Sequence, residues 1–271
     1  MDNPLQKYAL ITGAGSGLGK AAAESLLERG FVVFSCDRVF ESNRQDRNAH
    51  FIKMDVTCDT SVAAALEYIK SITKRLDVVA CFAGVISAGA LAETDAVEAL
   101  SIFNVNVLGV FRVNNAAFDM VKQAKGRYIN VSSEYGVLNS APFYTLYPAT
   151  KHALEMYNIG LRREMSLFGI RVVCIRPGAY KTDIIGDFTS RYGRAIEKSV
   201  LYKDQLTKIS RLMNKEFTKA KPASAFLKTF KKAALNKKPK FVYKTNNSLT
   251  MKLLNILPIK MQDWLIKRML F

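Results

Sequence analysis

Tyr147 and Lys151 stand four residues apart in Y-P-A-T-K, and Ser133 lies fourteen residues upstream of the tyrosine. If Tyr147 opens a helix, Lys151 falls on the same face one turn later, because residues at i and i+4 are neighbours on a helix surface. An ammonium beside a phenol favours the phenolate and draws the tyrosine down from its ordinary pKa of about 10. A phenol poised that way can take a proton from an alcohol or return one to a carbonyl oxygen. A serine hydroxyl at the same spot could hold the oxygen on which charge develops. A tyrosine and a lysine at this spacing also occur on solvated helix surfaces, so the pair gains meaning only from the elements that position it.

Tyr8 to Thr12 is a short apolar run with strand character, and Thr12-Gly13-Ala14-Gly15-Ser16-Gly17-Leu18-Gly19 follows at once. Lys20 to Arg29 reads as a helix closed by Gly30. Strand, glycine turn and helix make a dinucleotide-binding entry. The glycines let backbone approach a pyrophosphate, and the helix N-terminus offers N–H groups and the positive end of its dipole. The spacing is not G-x-G-x-x-G, since Leu18 and Lys20 stand where a third glycine would fall, and Ala14 and Ala21 exclude a P-loop. Phe31 to Cys36 is a second strand that ends at Asp37, 24 residues after Gly13. That is near the offset at which a carboxylate binds the adenosine ribose hydroxyls. A 2′-phosphate there would meet like charge, so Asp37 argues for NAD, while the adjacent Arg38 keeps NADP open.

A third strand, His50 to Met54, ends at Asp55-Val56, and a helix from about Thr60 to Lys74 precedes a fourth strand, Leu76 to Phe82. Glu93 to Lys122 is one long helical stretch containing Asn104, Asn106 and Gly109. Arg127 to Val131 is the fifth strand and delivers Ser132-Ser133 to the same sheet edge; Thr145 to Leu167 is the helix that carries Tyr147 and Lys151. Ile170 to Ile175 is the sixth strand, stopped by Arg176-Pro177-Gly178. Thr182 to Lys221 has no strand signal, Pro222 to Asn236 reads as a helix, Lys240 to Tyr243 as a last strand, and 249–271 as a basic amphipathic tail. Strands alternating with helices at this spacing predict one α/β domain over 1–271. Its sheet is parallel and doubly wound (Rossmann-type), with helices on both faces and the ligand at the strand carboxyl ends.

Composition narrows the classes. A chain of 271 residues, 49% hydrophobic, can bury a substantial core, which excludes disorder. The start, M-D-N-P-L-Q-K, lacks the basic-then-apolar build of a signal peptide, so the expectation is cytoplasmic. The most apolar run, Val78 to Ala92, is broken by Gly84, Ser87 and Gly89 and falls short of the roughly 20 residues that span a bilayer. Cys36, Cys58, Cys81 and Cys174 lack metal-ligand spacing, so no metal is expected. The net charge of +17 is uneven: residues 191–271 carry 20 Lys+Arg against 4 Asp+Glu, a net of +16.

T-G-x-x-x-G-x-G at Thr12 to Gly19, Asn106 in V-N-V-L-G, Ser133 after N-V-S, Y-x-x-x-K at Tyr147/Lys151 and R-P-G at Arg176 to Gly178 occur in one order. Together they resemble the short-chain dehydrogenase/reductase family, over residues 7 to 245. The resemblance implies Tyr147 as general acid/base and Lys151 as the group that lowers its pKa and holds the nicotinamide ribose. Ser133 would polarise the substrate oxygen, and Asn106 would hold a water linking the lysine to solvent. It further implies a pyrophosphate cradle of Gly13, Ser16, Gly17, Leu18 and Gly19, with Asp37 on the adenosine ribose. Asp55 and Val56 would meet adenine, Ala83 and Gly84 would line the cofactor, and Thr182 would hold the carboxamide after the Pro177-Gly178 turn. Where relatives carry N-A-G, this chain has Phe82-Ala83-Gly84, so that asparagine's hydrogen bonds need a replacement. The serine-to-tyrosine spacing is slightly long, which keeps Ser132 as a less favoured candidate. Tyr144 is excluded because Pro148 stands four residues after it, and His50 and His152 read as structural.

The segment 182–221 is expected to close over the substrate; its apolar Ile184, Ile185, Phe188, Tyr192, Tyr202, Leu206, Ile209, Leu212 and Met213 suit a hydrophobic secondary alcohol or ketone, although most of them, at helical spacing, are expected to pack the lid onto the core. The tail is similar to those of steroid- and retinol-type members, and a homodimer or homotetramer is expected. A basic amphipathic tail suits a helix packed on its own subunit or, second, peripheral contact with a membrane surface. Its few aromatics form no base-stacking set, which argues against nucleic acid. The alternative function is a silent, cofactor-sensing scaffold on the same fold. It is disfavoured because Asn106, Ser133, Tyr147 and Lys151 are all present.

Overall fold

The computed structural model describes residues 6–270. Residues 1–5 of the amino-terminal segment and residue 271 of the tail lie outside the described residues. The chain runs β1 (Tyr8–Thr12), α1 (Gly17–Leu27), β2 (Val32–Asp37), β3 (Arg44–Asp46), β4 (Ala49–Lys53), α2 (Asp59–Ile72) and β5 (Val78–Cys81). It continues α3 (Ala96–Phe103), a π turn at Asn104–Leu108, α4 (Gly109–Ala116), α5 (Phe118–Ala124), β6 (Arg127–Val131), α6 (Leu146–Ser166) and β7 (Arg171–Pro177). After it come β8 (Tyr180–Lys181), α7 (Asp183–Lys198), α8 (Lys203–Phe217), β9 (Lys221–Pro222), α9 (Ser224–Leu235), β10 (Val242–Thr245), α10 (Leu249–Ile256) and α11 (Ile259–Leu270).

The main sheet has the order β10-β7-β6-β5-β1-β2-β4-β3, and every pairing is parallel except β3 against β4. From β1 the chain winds outward through β2 and β4, then returns to the other side of β1 for β5, β6, β7 and β10. The carboxyl ends of β1 and β5 therefore flank the switch point where such sheets bind ligands. Successive residues of β1 feed opposite faces, as strand geometry requires. Tyr8 and Leu10 join α2, α4, α5 and α6, whereas Ala9 and Ile11 join α1 and α9. Both layers are apolar, and the largest fully buried side chains include Tyr128, Phe34, Phe226 and Phe230. Each such aromatic supplies roughly 1.5–3 kcal/mol of burial free energy.

The expected doubly wound α/β sheet is present, with differences in detail. The sequence offered no strand at 44–46, because Arg-Gln-Asp is a polar edge strand with all three residues exposed. The single helix read over Glu93 to Lys122 is divided by the π turn and by Ala117. The tail, read as one amphipathic segment, is two helices, and Pro258 stands at the joint because it cannot continue the hydrogen-bond ladder. A third apolar cluster brings Phe188, Tyr192, Leu206, Ile209 and Met213 of α7 and α8 against Tyr144, Tyr147 and Leu270.

Candidate active site

At the carboxyl edge of the sheet, backbone approaches backbone closely. Gly13 follows β1 at φ +67°, and a Cβ on it would stand 2.6 Å from the Ala83 nitrogen. A Cβ on Gly19 would collide with the Gly13 carbonyl, and one on Gly17, at φ +54°, would lie 3.2 Å from Thr182. These three positions leave a cradle of bare backbone at the start of α1, the shape and polarity a pyrophosphate needs. Asp37 ends β2 and ties to this turn: its Oδ2 accepts from the Gly15 N–H at 2.9 Å and its Oδ1 from the Val39 N–H at 3.2 Å. The contact with Gly15 was missed from sequence, although it alternates with the glycines that were singled out. Asp55 accepts from the Thr57 N–H at 2.8 Å and the Thr57 hydroxyl at 2.7 Å. Those bonds, the backbone one foremost, hold its carboxyl below the usual range. The missing asparagine is replaced from two sides. Thr12 Oγ1 accepts from the Ala83 N–H at 3.2 Å, and Phe82 packs edge-on against Phe226 and Phe230.

Tyr147 lies in the first turn of α6 with Lys151 one turn on, so the expected shared face is real. The Lys151 Nζ donates to the Val131 carbonyl at 3.1 Å and sits 5.6 Å from the centre of the Tyr147 ring. Ser133 caps the short turn Glu134–Gly136, its Oγ accepting from the Tyr135 N–H at 3.2 Å, and it also hydrogen-bonds Tyr147. Ser132 Oγ is buried and, among the described residues, has no hydrogen-bond partner. The expected depression of the tyrosine is not what burial produces. Loss of water pushes Tyr147 up to about 12, against the hydrogen bond from Ser133, which lowers it. Burial likewise pulls Lys151 down to about 8, against the raising charges of Cys174 and Glu155. For each group desolvation outweighs every other influence, so the phenol keeps its proton and the lysine, still charged at neutral pH, holds its own less firmly than in water.

Asn106 sits in the π turn, fully buried. Its Oδ1 accepts from the Val85 N–H at 2.8 Å, and its Nδ2 donates to the Val85 carbonyl at 2.8 Å and to Thr150 Oγ1 at 3.0 Å. Gly84 runs between it and Lys151. Both histidines are structural: His50 Nδ1 is 3.2 Å from the Tyr68 hydroxyl, and His152 Nδ1 is 3.0 Å from the Pro148 carbonyl. Cys36, Cys81 and Cys174 are buried thiols, and the described residues hold no cluster fit for a metal.

One cavity of about 750 Å³ unites the predicted residues. Gly13, Ser16, Gly17, Leu18, Gly19, Asp37, Asp55, Val56, Ala83, Gly84, Ser133, Tyr147, Lys151, Pro177, Gly178 and Thr182 all line it, and Asn106 stands behind the wall. Sequence reading missed Glu134, Tyr135 and the stretch 246–251, which also line it. Tyr144, rejected as a base, is an aromatic wall residue 5.2 Å from Tyr135 and 5.4 Å from both Tyr147 and Phe188, ring centre to ring centre.

The family model for short chain dehydrogenases matches residues 7–193. This chain belongs to the short-chain dehydrogenase/reductase family. Over 174 residues it is 35% identical to the 3-ketodihydrosphingosine reductase of Bacteroides thetaiotaomicron, covering 64% of each chain. Over 185 residues it is 37% identical to 17-beta-hydroxysteroid dehydrogenase type 6 of Rattus norvegicus, covering 65% of this chain and 57% of the relative. The matched region thus spans less than two thirds of those relatives. Among solved structures, ElxO with NADP bound superposes with a TM-score of 0.69 at 25% identity, covering 89% of this chain and 96% of that one. A short-chain dehydrogenase from Streptomyces avermitilis gives 0.60 at 32% identity, over 66% and 68%. Short-chain dehydrogenase/reductase enzymes bind a nicotinamide dinucleotide and act on CH–OH groups, and the bare-backbone cradle of this chain fits such a group.

Proposed function

We propose that this protein interconverts a hydrophobic secondary alcohol and its ketone with NAD. The observation that carries the reading is the convergence of Ser133, Tyr147 and Lys151 on a cavity whose other side is the glycine cradle ending at Asp37. When bound, the dinucleotide supplies the hydride chemistry. Ser133 holds the substrate oxygen, and Tyr147 Oη gives it a proton in reduction or takes one in oxidation. Lys151 steadies the phenolate left after donation. Gly13, Ser16, Gly17, Leu18 and Gly19 hold the pyrophosphate, Asp37 the adenosine ribose, and Asp55 and Val56 the adenine. Ala83, Gly84, Pro177, Gly178 and Thr182 place the nicotinamide end. Asn106 fixes Val85, and through it the wall behind Lys151; a relay water there would rest on its backbone carbonyl.

NAD is favoured because Asp37 puts a carboxylate where a 2′-phosphate would need a cation; NADP is the second reading, favoured by Arg38 on the same wall and by the NADP bound to ElxO. The segment 182–221 acts as the substrate lid, with Ile184, Ile185, Phe188, Met213 and Phe217 on the cavity wall. The apolar walls and the names of the relatives, which act on steroid- and sphingoid-type compounds, support a lipid-like substrate. A second copy of the chain suits the exposed Val97 and Leu100 on α3, Leu108 at the end of the π turn and Phe111 on α4. Peripheral membrane contact suits the basic tail.

Titrating NADH and NADPH separately, then assaying apolar secondary alcohols, tests the reading. NADH is expected to bind the wild type more tightly, Asp37→Ala to erode that preference, and Tyr147→Phe to lose turnover by 100-fold or more while still binding NADH. Tighter NADPH binding would move the assignment to NADP. Binding of neither would bring forward the scaffold reading.

A further inference from the structure

Glu134 follows the proposed catalytic serine directly, lies in the cavity wall and is buried. A carboxylate is expensive to bury and persists where it is hydrogen-bonded. Its Oε2 accepts from the Ser248 N–H at 2.7 Å, across 114 residues of chain. Ser248 is the N-cap of α10, its own hydroxyl accepting from the Met251 N–H at 3.3 Å. The other carboxylate oxygen lies against Gly178, where a Cβ would come within 3.0 Å of it and would also collide with the Asn246 carbonyl. Gly178 is thus the place where the serine turn, the end of β7 and the strand leading to α10 cross without room for a side chain. The crossing is fastened at three more points: Gly178 N–H to the Thr245 carbonyl at 2.9 Å, Asn246 Nδ2 to the Ala179 carbonyl at 2.6 Å, and the Tyr180 and Thr245 hydroxyls at 2.7 Å. Asn246 takes the left-handed conformation, φ 54°, needed to turn the chain there. Beyond it, Leu249, Thr250 and Met251 line the same cavity as Ser133 and Tyr147.

We propose that Glu134 is a positioning residue for substrate recognition: its carboxylate fastens the N-terminus of α10 so that residues 248–251 complete the substrate wall. The C-terminal tail is then part of the active site, clamped from the turn that carries Ser133. A carboxylate suits this post because the helix N-terminus presents N–H donors and the positive end of a dipole. The inference rests on the alcohol/ketone reading for its kinetic consequence, but the clamp itself is measurable without turnover.

The test uses the full chain with Glu134→Ala and the isosteric Glu134→Gln. Two readouts apply: amide hydrogen exchange over 246–252, and steady-state kinetics on an apolar secondary alcohol, with NADH affinity as the control. Loss of a charge-assisted bond predicts exchange about tenfold faster at 246–252 in Glu134→Ala, with a similar rise in KM and kcat held within about threefold. Glu134→Gln keeps an acceptor oxygen and should recover most of the protection and most of the KM. NADH affinity should match wild type in both. Unchanged exchange in Glu134→Ala would overturn the clamp, and a fall in kcat at constant KM would overturn the positioning role. If the wild type turned over no alcohol, the exchange result would still decide the clamp while the functional reading failed alone.

Discussion

At the residue scale, the site is defined by two groups that burial makes uncomfortable when charged. Tyr147 is held up at about 12 and Lys151 down at about 8. At neutral pH the phenol is therefore a proton donor by default, and the lysine is charged at some cost to stability. The sign follows from linkage. The folded state binds the Lys151 proton less tightly than the unfolded chain, where its pKa is about 10.5. Below pH 8 the penalty is complete, at about 3 kcal/mol for a shift of this size; it fades as pH rises toward 10.5. Lys151→Met should consequently be more stable than wild type in urea melts at pH 7, although loss of the bond to Val131 returns about 1 kcal/mol. The advantage should shrink toward pH 10. A variant less stable at pH 7, or an advantage flat with pH, would refute the buried-charge argument. The motif made the identities of these residues legible in the sequence. Their energetics were not, because the sequence shows the Tyr–Lys spacing but not the water that folding removes.

At the element scale, legibility followed locality. The β1–turn–α1 entry, β6 with its serines and α6 with Tyr147 are each encoded within about twenty consecutive residues, and their periodicity and glycines could be read directly. Strand β3, the π turn at Asn106 and the β8–β9 pair are set by partners distant in the chain, and no local period announces them. Glu134 escaped for the same reason: its partner Ser248 is 114 residues away. The entry turn yields the sharpest element-level prediction. Gly19→Ala places a Cβ into the Gly13 carbonyl, backbone against backbone, with no flexible side chain able to yield. Overpacking of this kind costs about 1–3 kcal/mol, and relief must come from opening the cradle. The variant should therefore lose stability in thermal melts and lose NADH affinity together. Gly30→Ala makes a useful control: it is strained by its positive φ, yet nothing lies within 4 Å of its added Cβ and it is not on the cavity wall. It should lose stability but keep NADH affinity. A Gly19→Ala protein with wild-type affinity would show that the cradle does not hold the dinucleotide.

At the scale of the whole molecule, the two ends of the sequence do different work. The first 190 residues are near neutral and carry the glycine cradle with Ser133, Tyr147 and Lys151, whereas the last 81 carry a net +16. In α11 the faces are sorted. Gln262 and Leu270 turn inward, Ile266 joins the apolar cluster beneath, and Trp264 is outward and 58% exposed with the Arg268 guanidinium over its ring. Leu253 and Ile256 of α10 are exposed as well, flanked by Lys252 and Lys260. An outward aromatic among cations suits the boundary between headgroups and acyl chains, where the ring sits in the interface and the basic residues meet anionic lipid. Because α10 also lines the cavity, a membrane-docked tail would bring the substrate wall to the source of an apolar substrate. Trp264 is the only tryptophan in the chain, so its fluorescence reports on this face directly. Vesicles containing phosphatidylserine should shift its emission to the blue and co-float with the protein. Pure phosphatidylcholine vesicles should do neither, and about 1 M salt, which cuts the screening length to about 3 Å, should release it. The exposed row on α3 and α4 is separate in the chain, so a dimer formed there should still bind the vesicles, as light scattering beside flotation would register. Emission unmoved by anionic vesicles would leave the tail packed against its own subunit alone, with its lysines simply solvated.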